Sequence, residues 1–473
     1  MWAGHVTIDM LSDDVLLCTF YFVQPDIASS RFLDLSWWQP VIHVCHRWRS
    51  VVFASPNFFR LRLVCDPWIP VGLTAIWPPI PIIVWNMRNV ADRAMPEDYD
   101  LDAAIVHPDR VHEIHLRFAS SQLQRLASAM QKQFPALIHL TLETFRDSPP
   151  ALALPDGFLG GFAPRLQFLD LNRIPFPALP KLLLSATDLV HLSLWNIPHS
   201  GYISPDTIIT SLAVLLNLES FIIEFDIISF PDRGRRHPPP PTRIVLPALT
   251  VFEFQGASIY LEDLLAQIDA PWLDCIRIAF VHQFVFDIPE LAKFLRRTTR
   301  FSGQVLNEAH VDFDCCGVVV ESLPPTRIID KKFGLRILCQ EFDWSDWDPS
   351  FVAQIFSSLF PSIYIVEHLY VRVGPEYLLW QDDFEDIDWL EIFRPFAAVK
   401  SLYLCEQIVE YIAPDLQDLR ERAADVLPAL KCIFLEELQP SESDPPQEAF
   451  GEYVAARQLL GHPVAVSRWV GEM

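Results

Sequence analysis

A chain of 473 residues is too long for one compact core, so two or three structural units are expected. Its 51% hydrophobic content excludes a disordered tail, and its 40 prolines exclude an architecture of long uninterrupted helices. A net charge of −24 lacks the basic footprint that general nucleic-acid or anionic-membrane binding needs. An acidic solvated surface, or selection for basic partners, is what such a charge supports.

The nine cysteines are odd in number and scattered, apart from Cys315-Cys316, with no Cys-x-x-Cys spacing. There is no Asn-x-Ser/Thr sequon, and Met1-Trp-Ala-Gly-His-Val6 lacks a basic region followed by an apolar run. Reduced thiols in cytoplasm or nucleus are expected.

In chain order, Asp9 to Phe20 reads as a capped helix. Ser12 or Asp13 supplies the cap oxygen, Asp14 suits the positive helix end, and Leu16 and Phe20 share a face. A second helix is expected over Val41 to Val52. Its apolar residues Val41, Val44, Cys45, Trp48, Val51 and Val52 fall at i, i+3, i+4, i+7 spacing. Pro56 then forces its predecessor out of helical geometry.

Leu11-Ser-Asp-Asp-Val-Leu16, Val44-Cys-His-Arg-Trp48 and Ser55-Pro-Asn-Phe-Phe59 together resemble an F-box. Two features depart from that family's pattern: Ser12 replaces the usual proline, and an insert over roughly Tyr21 to Trp38 replaces a short leucine-rich helix. The resemblance implies a helical domain over residues 9–62 that docks on the Skp-family adaptor of a cullin–RING ubiquitin ligase. By type, it nominates Leu11, Ser12, Val15, Leu16, Phe20, Val41, Val44, Cys45, Trp48 and Pro56 as adaptor-binding. Without the resemblance, the same periodicity describes an ordinary amphipathic hairpin.

Residues 63–109 form a Pro-rich connector. Trp68 to Trp85 carries no charge, but Pro70, Pro78, Pro79 and Pro81 argue against a membrane span. The stretch is expected to run into a buried strand, Ile80 to Trp85, and no transmembrane segment is expected.

From about Arg110 a weak repeat sets in: apolar, two others, apolar, one other, apolar. The copies are Val111/Ile114/Leu116, Leu137/Leu140/Leu142, Leu166/Leu169/Leu171, Leu189/Leu192/Leu194 and Leu218/Phe221/Ile223. Leu249/Phe252/Phe254, Leu273/Ile276/Ile278, Val366/Leu369/Val371, Val399/Leu402/Leu404 and Leu430/Ile433/Leu435 continue it, with blurred copies near Val311–Phe313 and Leu335–Leu338. Helices are expected between the strands, over Ser120–Phe134, Ser204–Leu216, Leu261–Ile268, Pro289–Arg297, Pro349–Leu359 and Gln407–Val426. Strand alternating with helix at roughly 23 to 35 residues predicts a stacked solenoid over residues 110–438, with a parallel sheet on one side.

This half resembles the irregular leucine-rich-repeat regions of fungal F-box proteins, also in Trp77-Pro-Pro-Ile-Pro81, His107-Pro-Asp-Arg-Val111 and Ala456-Arg-Gln-Leu-Leu-Gly-His-Pro-Val464. The bridging Asn or Cys of a standard repeat is absent. Phe145, Ile174, Ile197, Asp226, Ala257 and Val281 stand at that position. Asp232–Arg243, Trp380–Trp389 and Pro440–Gln447 read as surface loops, and residues 439–473 as an acidic linker and terminal cap.

The sequence contains no Gly-x-Ser-x-Gly elbow, Walker loop or His-Glu-x-x-His, and Gly157-Phe-Leu-Gly-Gly161 reads as a turn. His43, Cys45 and His46 cannot converge from one helix on a metal. His139, His191, His310 and His368 share the third repeat position, which puts His139 and His191 roughly 10 Å apart and suits a contact surface rather than a metal site. No catalytic residue, metal or cofactor is expected.

The expected fold class is α/β, with what resembles an N-terminal helical F-box followed by an irregular leucine-rich-repeat-like solenoid with a parallel sheet. What the resemblance implies is the substrate-recognition subunit of a Skp–cullin–F-box ubiquitin ligase. The alternative is a protein-interaction scaffold with no ligase attached. Substrate-binding candidates on the open sheet face are Phe168, Trp195, Glu224, Tyr370, Arg372, Tyr403 and Glu436.

Overall fold

The structure is a computed structural model of the chain. It describes residues 8–23, 38–55, 61, 63–65, 80–86, 105, 107–145, 153–226, 243–281, 288–298, 307–314, 317–323, 333–338, 366–373, 388–436 and 448–469. Two compact units divide the chain, Met1–Leu189 and Val190–Met473. The expected helix over Pro349–Leu359, the basic loop over residues 232–242 and the linker over Pro440–Gln447 lie outside the described residues.

The first unit opens with helix α1 (Asp13–Val23). The Val15 amide donates to Ser12 Oγ at 3.4 Å, and Asp13 and Asp14 occupy the first turn, where carboxylates favour the positive end of the helix dipole. The single helix expected over Val41–Val52 is two helices, α2 (Trp38–Ile42) and α3 (His46–Ala54). Cys45 breaks it: its backbone is extended (φ −157°, ψ 169°), and its Sγ accepts the Trp48 amide at 3.5 Å as the cap of α3. The break splits the expected apolar face: Val41, Val51 and Val52 are buried, while Val44 and Cys45 are exposed. Arg47 ties α3 to the start of α1, donating to Asp13 Oδ1 from Nε at 3.0 Å and from Nη2 at 2.7 Å, and also to the Leu11 carbonyl. Leu16, Phe20, Trp38, Ile42 and Val52 fill the core between the helices, with Trp48 edge-on to Phe20 at 4.8 Å.

Five parallel strands follow in chain order: β1 (Leu63–Cys65), β2 (Ile82–Asn86), β3 (Val111–Phe118), β4 (His139–Thr144) and β5 (Phe168–Asn172). Strand β2 starts two residues later than Ile80, as Pro81 has no amide proton for the ladder. Helices α4 (Ser120–Ala129) and α5 (Leu179–Leu183) complete this unit's repeats. Gly157–Gly161 is a tight turn with left-handed Leu159, Gly160 and Gly161. In place of an asparagine ladder, Asn86 Nδ2 and Thr144 Oγ1 donate to carbonyls at the ends of the following strands, Arg117 at 3.4 Å and Arg173 at 3.3 Å.

The second unit contains β6 (His191–Ile197), α6 (Pro205–Leu212), β7 (Ser220–Phe225), β8 (Ile244–Val245), β9 (Val251–Gly256) and α7 (Ser258–Leu265). Next come β10 (Ile268–Asp269), β11 (Cys275–Val281), α8 (Pro289–Arg297), β12 (Glu308–Asp314), β13 (Gly317–Leu323) and β14 (Phe333–Leu338). The unit ends with β15 (His368–Val373), α9 (Trp389–Phe393), β16 (Ser401–Leu404), α10 (Glu406–Asp418), β17 (Cys432–Glu436), α11 (Gly451–Leu459) and β18 (Ala465–Trp469). Its main sheet runs β6-β7-β9-β11-β14-β13-β12-β15-β16-β17-β18, and β8 and β10 form a separate parallel pair.

Every one of the ten clear repeat triplets is buried, none of its residues more than 4% exposed. Stacked strand register explains this: Phe221, Phe252 and Ile276 align across β7, β9 and β11, and Leu402 and Ile433 across β16 and β17. Such rows remove their apolar area from water only by lying on one another, at roughly 25 cal/mol per Å².

The sheet is not wholly parallel. Strand β13 runs antiparallel to both β12 and β14, so a hairpin interrupts the repeat, and β12 pairs with β15 while β14 pairs with β11. Helix boundaries also shift. Ser204 caps α6 rather than belonging to it, and the expected Gln407–Val426 helix ends at Asp418. The acidic stretch Trp380–Trp389, expected as a loop, ends in a helix start: Asp388 Oδ1 accepts the Glu391 amide at 3.0 Å, and Trp389 is buried.

Two buried charges lock this framework. Glu262 accepts the Glu290 and Leu291 amides at 2.8 and 2.9 Å, capping α8 from the preceding helix. Arg457 on α11 is fully buried and donates to the carbonyls of Ala423, Leu427, Pro428, Leu430 and His462. That fastens the terminal segment onto the last repeat, and β18 adds a parallel edge strand beside β17.

Candidate functional site

The nominated residues lie on helices and on strand faces. On the helices of the first unit, Leu16, Phe20 and Val41 are buried and belong to the chain's own core. Ser12, Val15, Val44 and Cys45 are exposed, Leu11 and Trp48 are half-buried, and Pro56 lies outside the described residues. Val15 keeps 46% and Val44 60% of its surface open, and Tyr21, Phe22 and Val23 extend the apolar exposure along the end of α1.

In each unit the strand face opposite the buried triplets carries further candidates. In the first unit it is polar. Register aligns Glu113, His139 and Phe168 in one row, His115, Thr141 and Asp170 in the next, and Arg117, Glu143 and Asn172 in the third. The His139 ring stacks on Phe168 at 4.9 Å and meets His115 at 4.4 Å, whose Nε2 lies 3.3 Å from Glu113. Burial, and then the charge of Glu143, raise the Asp170 carboxyl to about 6. Among the described residues, no group of His, Cys, Asp and Glu is arranged to hold a metal ion.

In the second unit, Trp195 and Glu224 are half-buried on β6 and β7. Glu224 is raised to about 7 by burial and then by Glu253, which forms an ion pair with Arg277. Tyr370, Arg372, Tyr403 and Glu436 lie on β15 to β17, six strand positions from β7, roughly 29 Å away at the usual strand spacing. One short ligand cannot touch both ends.

Around Tyr370 the structure assembles more than the nominated residues. His310, Tyr370, Tyr403 and Phe434 align across β12, β15, β16 and β17, and their rings stack face to face at 4.3, 4.2 and 4.7 Å. Trp469 reaches back from β18 to sit edge-on to Tyr403 at 5.3 Å and 5.8 Å from Tyr370. The Arg372 guanidinium lies 5.8 Å from the Tyr370 ring and 5.6 Å from Trp469, a cation–π contact to each. Burial, and then Tyr403, push the Tyr370 hydroxyl up. Burial and then Arg372 lower His310 to about 4, which keeps its ring neutral near pH 7.

His310 corrects the sequence reading. It pairs with Tyr370, one slot along from the third repeat position, and Glu308 instead faces His368. The apolar pair of that blurred copy is Ala309/Val311. Phe434 sits between the last two apolar residues of its triplet, the slot of Tyr370 and Tyr403, so that rule alone would have found it. Trp469 follows no triplet and carried no such signal.

No family model matches the chain, and no curated protein sequence matches it either. Among solved structures, the leucine-rich repeat-containing protein LegL7 from Legionella pneumophila is similar at 14% identity. The match covers 69% of this chain and 93% of that one, with a TM-score of 0.25. Superposition that loose decides nothing, and the mixed α/β architecture with its largely parallel sheet stands on this chain's own strand register.

Proposed function

We propose that the chain is a substrate-recognition subunit of a Skp–cullin–F-box type ubiquitin ligase, working in cytoplasm or nucleus. The helices of the first unit dock on the Skp-family adaptor, and the strand faces hold a protein substrate. The observation that carries this reading is the exposure of Val15 and Val44, both within segments that resemble the F-box motif. Leu11 and Trp48 border them, while Leu16, Phe20 and Val41 hold the helices in shape. An interface of this kind draws most of its affinity from a few central apolar anchors.

The contribution to ubiquitin transfer is then proximity. The chain raises the substrate's effective concentration near the ligase core and supplies no nucleophile or base. No cofactor enters this role.

Co-purification tests it. The intact chain should bring down the Skp-family adaptor, and Val15→Asp with Val44→Asp should abolish that while leaving the thermal melt within a few degrees. Failure of the intact chain to bind the adaptor overturns the ligase reading. A second reading, an interaction scaffold independent of any ligase, draws on the aromatic ladder of the second unit, which lies on strands remote in sequence from the helices.

A further inference from the structure

We infer that Arg372 is a receptor for one carboxylate of a partner peptide, with the adjoining aromatic ladder taking the neighbouring side chain. This rests on the reading that the sheet face holds a protein, and it names the chemistry of the segment held.

Several of the described arginines are held by carboxylates or carbonyls. Arg47 pairs with Asp13, Arg277 with Glu253, Arg297 with Asp269, and the buried Arg457 is surrounded by carbonyls. Arg372 makes no hydrogen bond or ion pair among the described residues, although Asp312 lies opposite it in strand register. Its Nε is sealed from solvent with no acceptor. A buried donor in that state costs roughly 1–3 kcal/mol, more when charged. A ligand cannot reach that sealed atom, but the two Nη groups are not sealed, so they are the donors open to an incoming acceptor.

The surroundings prepare that guanidinium for an anion. Tyr370 and Trp469 both contact it, at 5.8 and 5.6 Å, and their centroids are 5.8 Å apart, so the rings hold one side of the guanidinium and leave the other open. Arg372 is half-buried, so part of its desolvation has already occurred in the free protein. A carboxylate matches the planar guanidinium fork with two parallel hydrogen bonds.

Charge selects the class of anion. One guanidinium offers a single positive charge, and Glu308 and Asp312 lie on the adjoining strand β12. A phosphate dianion would meet more repulsion there than a monovalent carboxylate, in a chain whose net charge is −24. The ring row that continues from Tyr370 through Tyr403 to Phe434 then favours an aromatic or aliphatic residue next to the acidic one.

The test uses the full-length chain and peptide libraries randomised around one fixed central residue: Glu, Gln or phosphoserine, each C-terminally amidated. A fourth library, with Gln at the centre, carries a free C-terminal carboxylate. The expected result is at least tenfold enrichment of the Glu library or of the free-terminus library over the amidated Gln library. Which of the two wins tells a side-chain carboxylate from a terminal one. Arg372→Gln should remove the enrichment, and Arg372→Lys, which keeps charge without the fork, should retain only a small part of it. Equal binding of Glu and Gln libraries with no free-terminus enrichment, enrichment that persists in Arg372→Gln, or tightest binding of phosphoserine would each overturn the inference. Adaptor co-purification by Arg372→Gln is read in parallel and should be unchanged. Loss of peptide selectivity with adaptor binding intact separates failure here from failure of the ligase reading.

Discussion

Glu224→Gln should stabilise the protein at alkaline pH and do little at acidic pH. Burial and the nearby Glu253 raise the Glu224 carboxyl from 4.5 to about 7. The folded chain therefore holds a proton that the unfolded chain releases between those values. With the sign worked through, the stability tied to this proton is whole below pH 4.5 and is lost as pH rises through about 7. A displacement of that size is worth at most about 3 kcal/mol. Because Glu224 is only half-buried, solvent screening brings the expected effect down to about 1–2 kcal/mol. Glutamine keeps the shape and removes the charge. Denaturant midpoints of variant and wild type, measured side by side at pH 5 and pH 8, isolate this group from the other acidic residues. The variant should gain a few tenths of a kcal/mol at pH 5 and about 1–2 kcal/mol at pH 8. An equal difference at both pH values, or a variant less stable at pH 8, refutes the reasoning.

Arg457→Met leaves five carbonyls without their shared donor and should cost about 3–5 kcal/mol, the scale for breaking a buried charged network. Hydrogen exchange over residues 448–469 should quicken first, and unchanged protection there would contradict the role given to the arginine. Gly160→Ala should destabilise by about 1–2 kcal/mol, because φ is +66° and the new Cβ would lie 2.6 Å from Gln133 Cγ. Gly157→Ala, where a Cβ meets nothing within 4 Å, serves as the matched control and should shift the thermal midpoint little.

The buried rows of the sheet were legible because a strand buried on one face must repeat its apolar residues at fixed offsets, and each triplet keeps them. The break at Cys45 was not, since the apolar spacing of Val41 to Val52 is that of one helix and carries no mark of an extended residue within it. The β12–β13–β14 hairpin lacks the Asn-Gly or Asp-Gly turn that usually marks one. Gly317-Val-Val-Val320 is an apolar run whose direction no local pattern fixes. Of the ladder, Tyr370 and Tyr403 were nominated from their triplets. His310 was placed one slot out by its blurred repeat, and Trp469 joins only because Arg457 seats the terminal segment against Ala423 and Leu430. That fastening is made between residues about thirty positions apart, beyond the reach of any periodicity.

The most direct measurement of the central claim is binding of the purified Skp-family adaptor to the full-length chain, with Val15→Asp/Val44→Asp and Arg372→Gln variants in parallel. A stable complex is expected for wild type and Arg372→Gln, and none for the double aspartate variant, all three melting alike. Absence of a wild-type complex, or a complex that the two aspartates leave untouched, would contradict that claim.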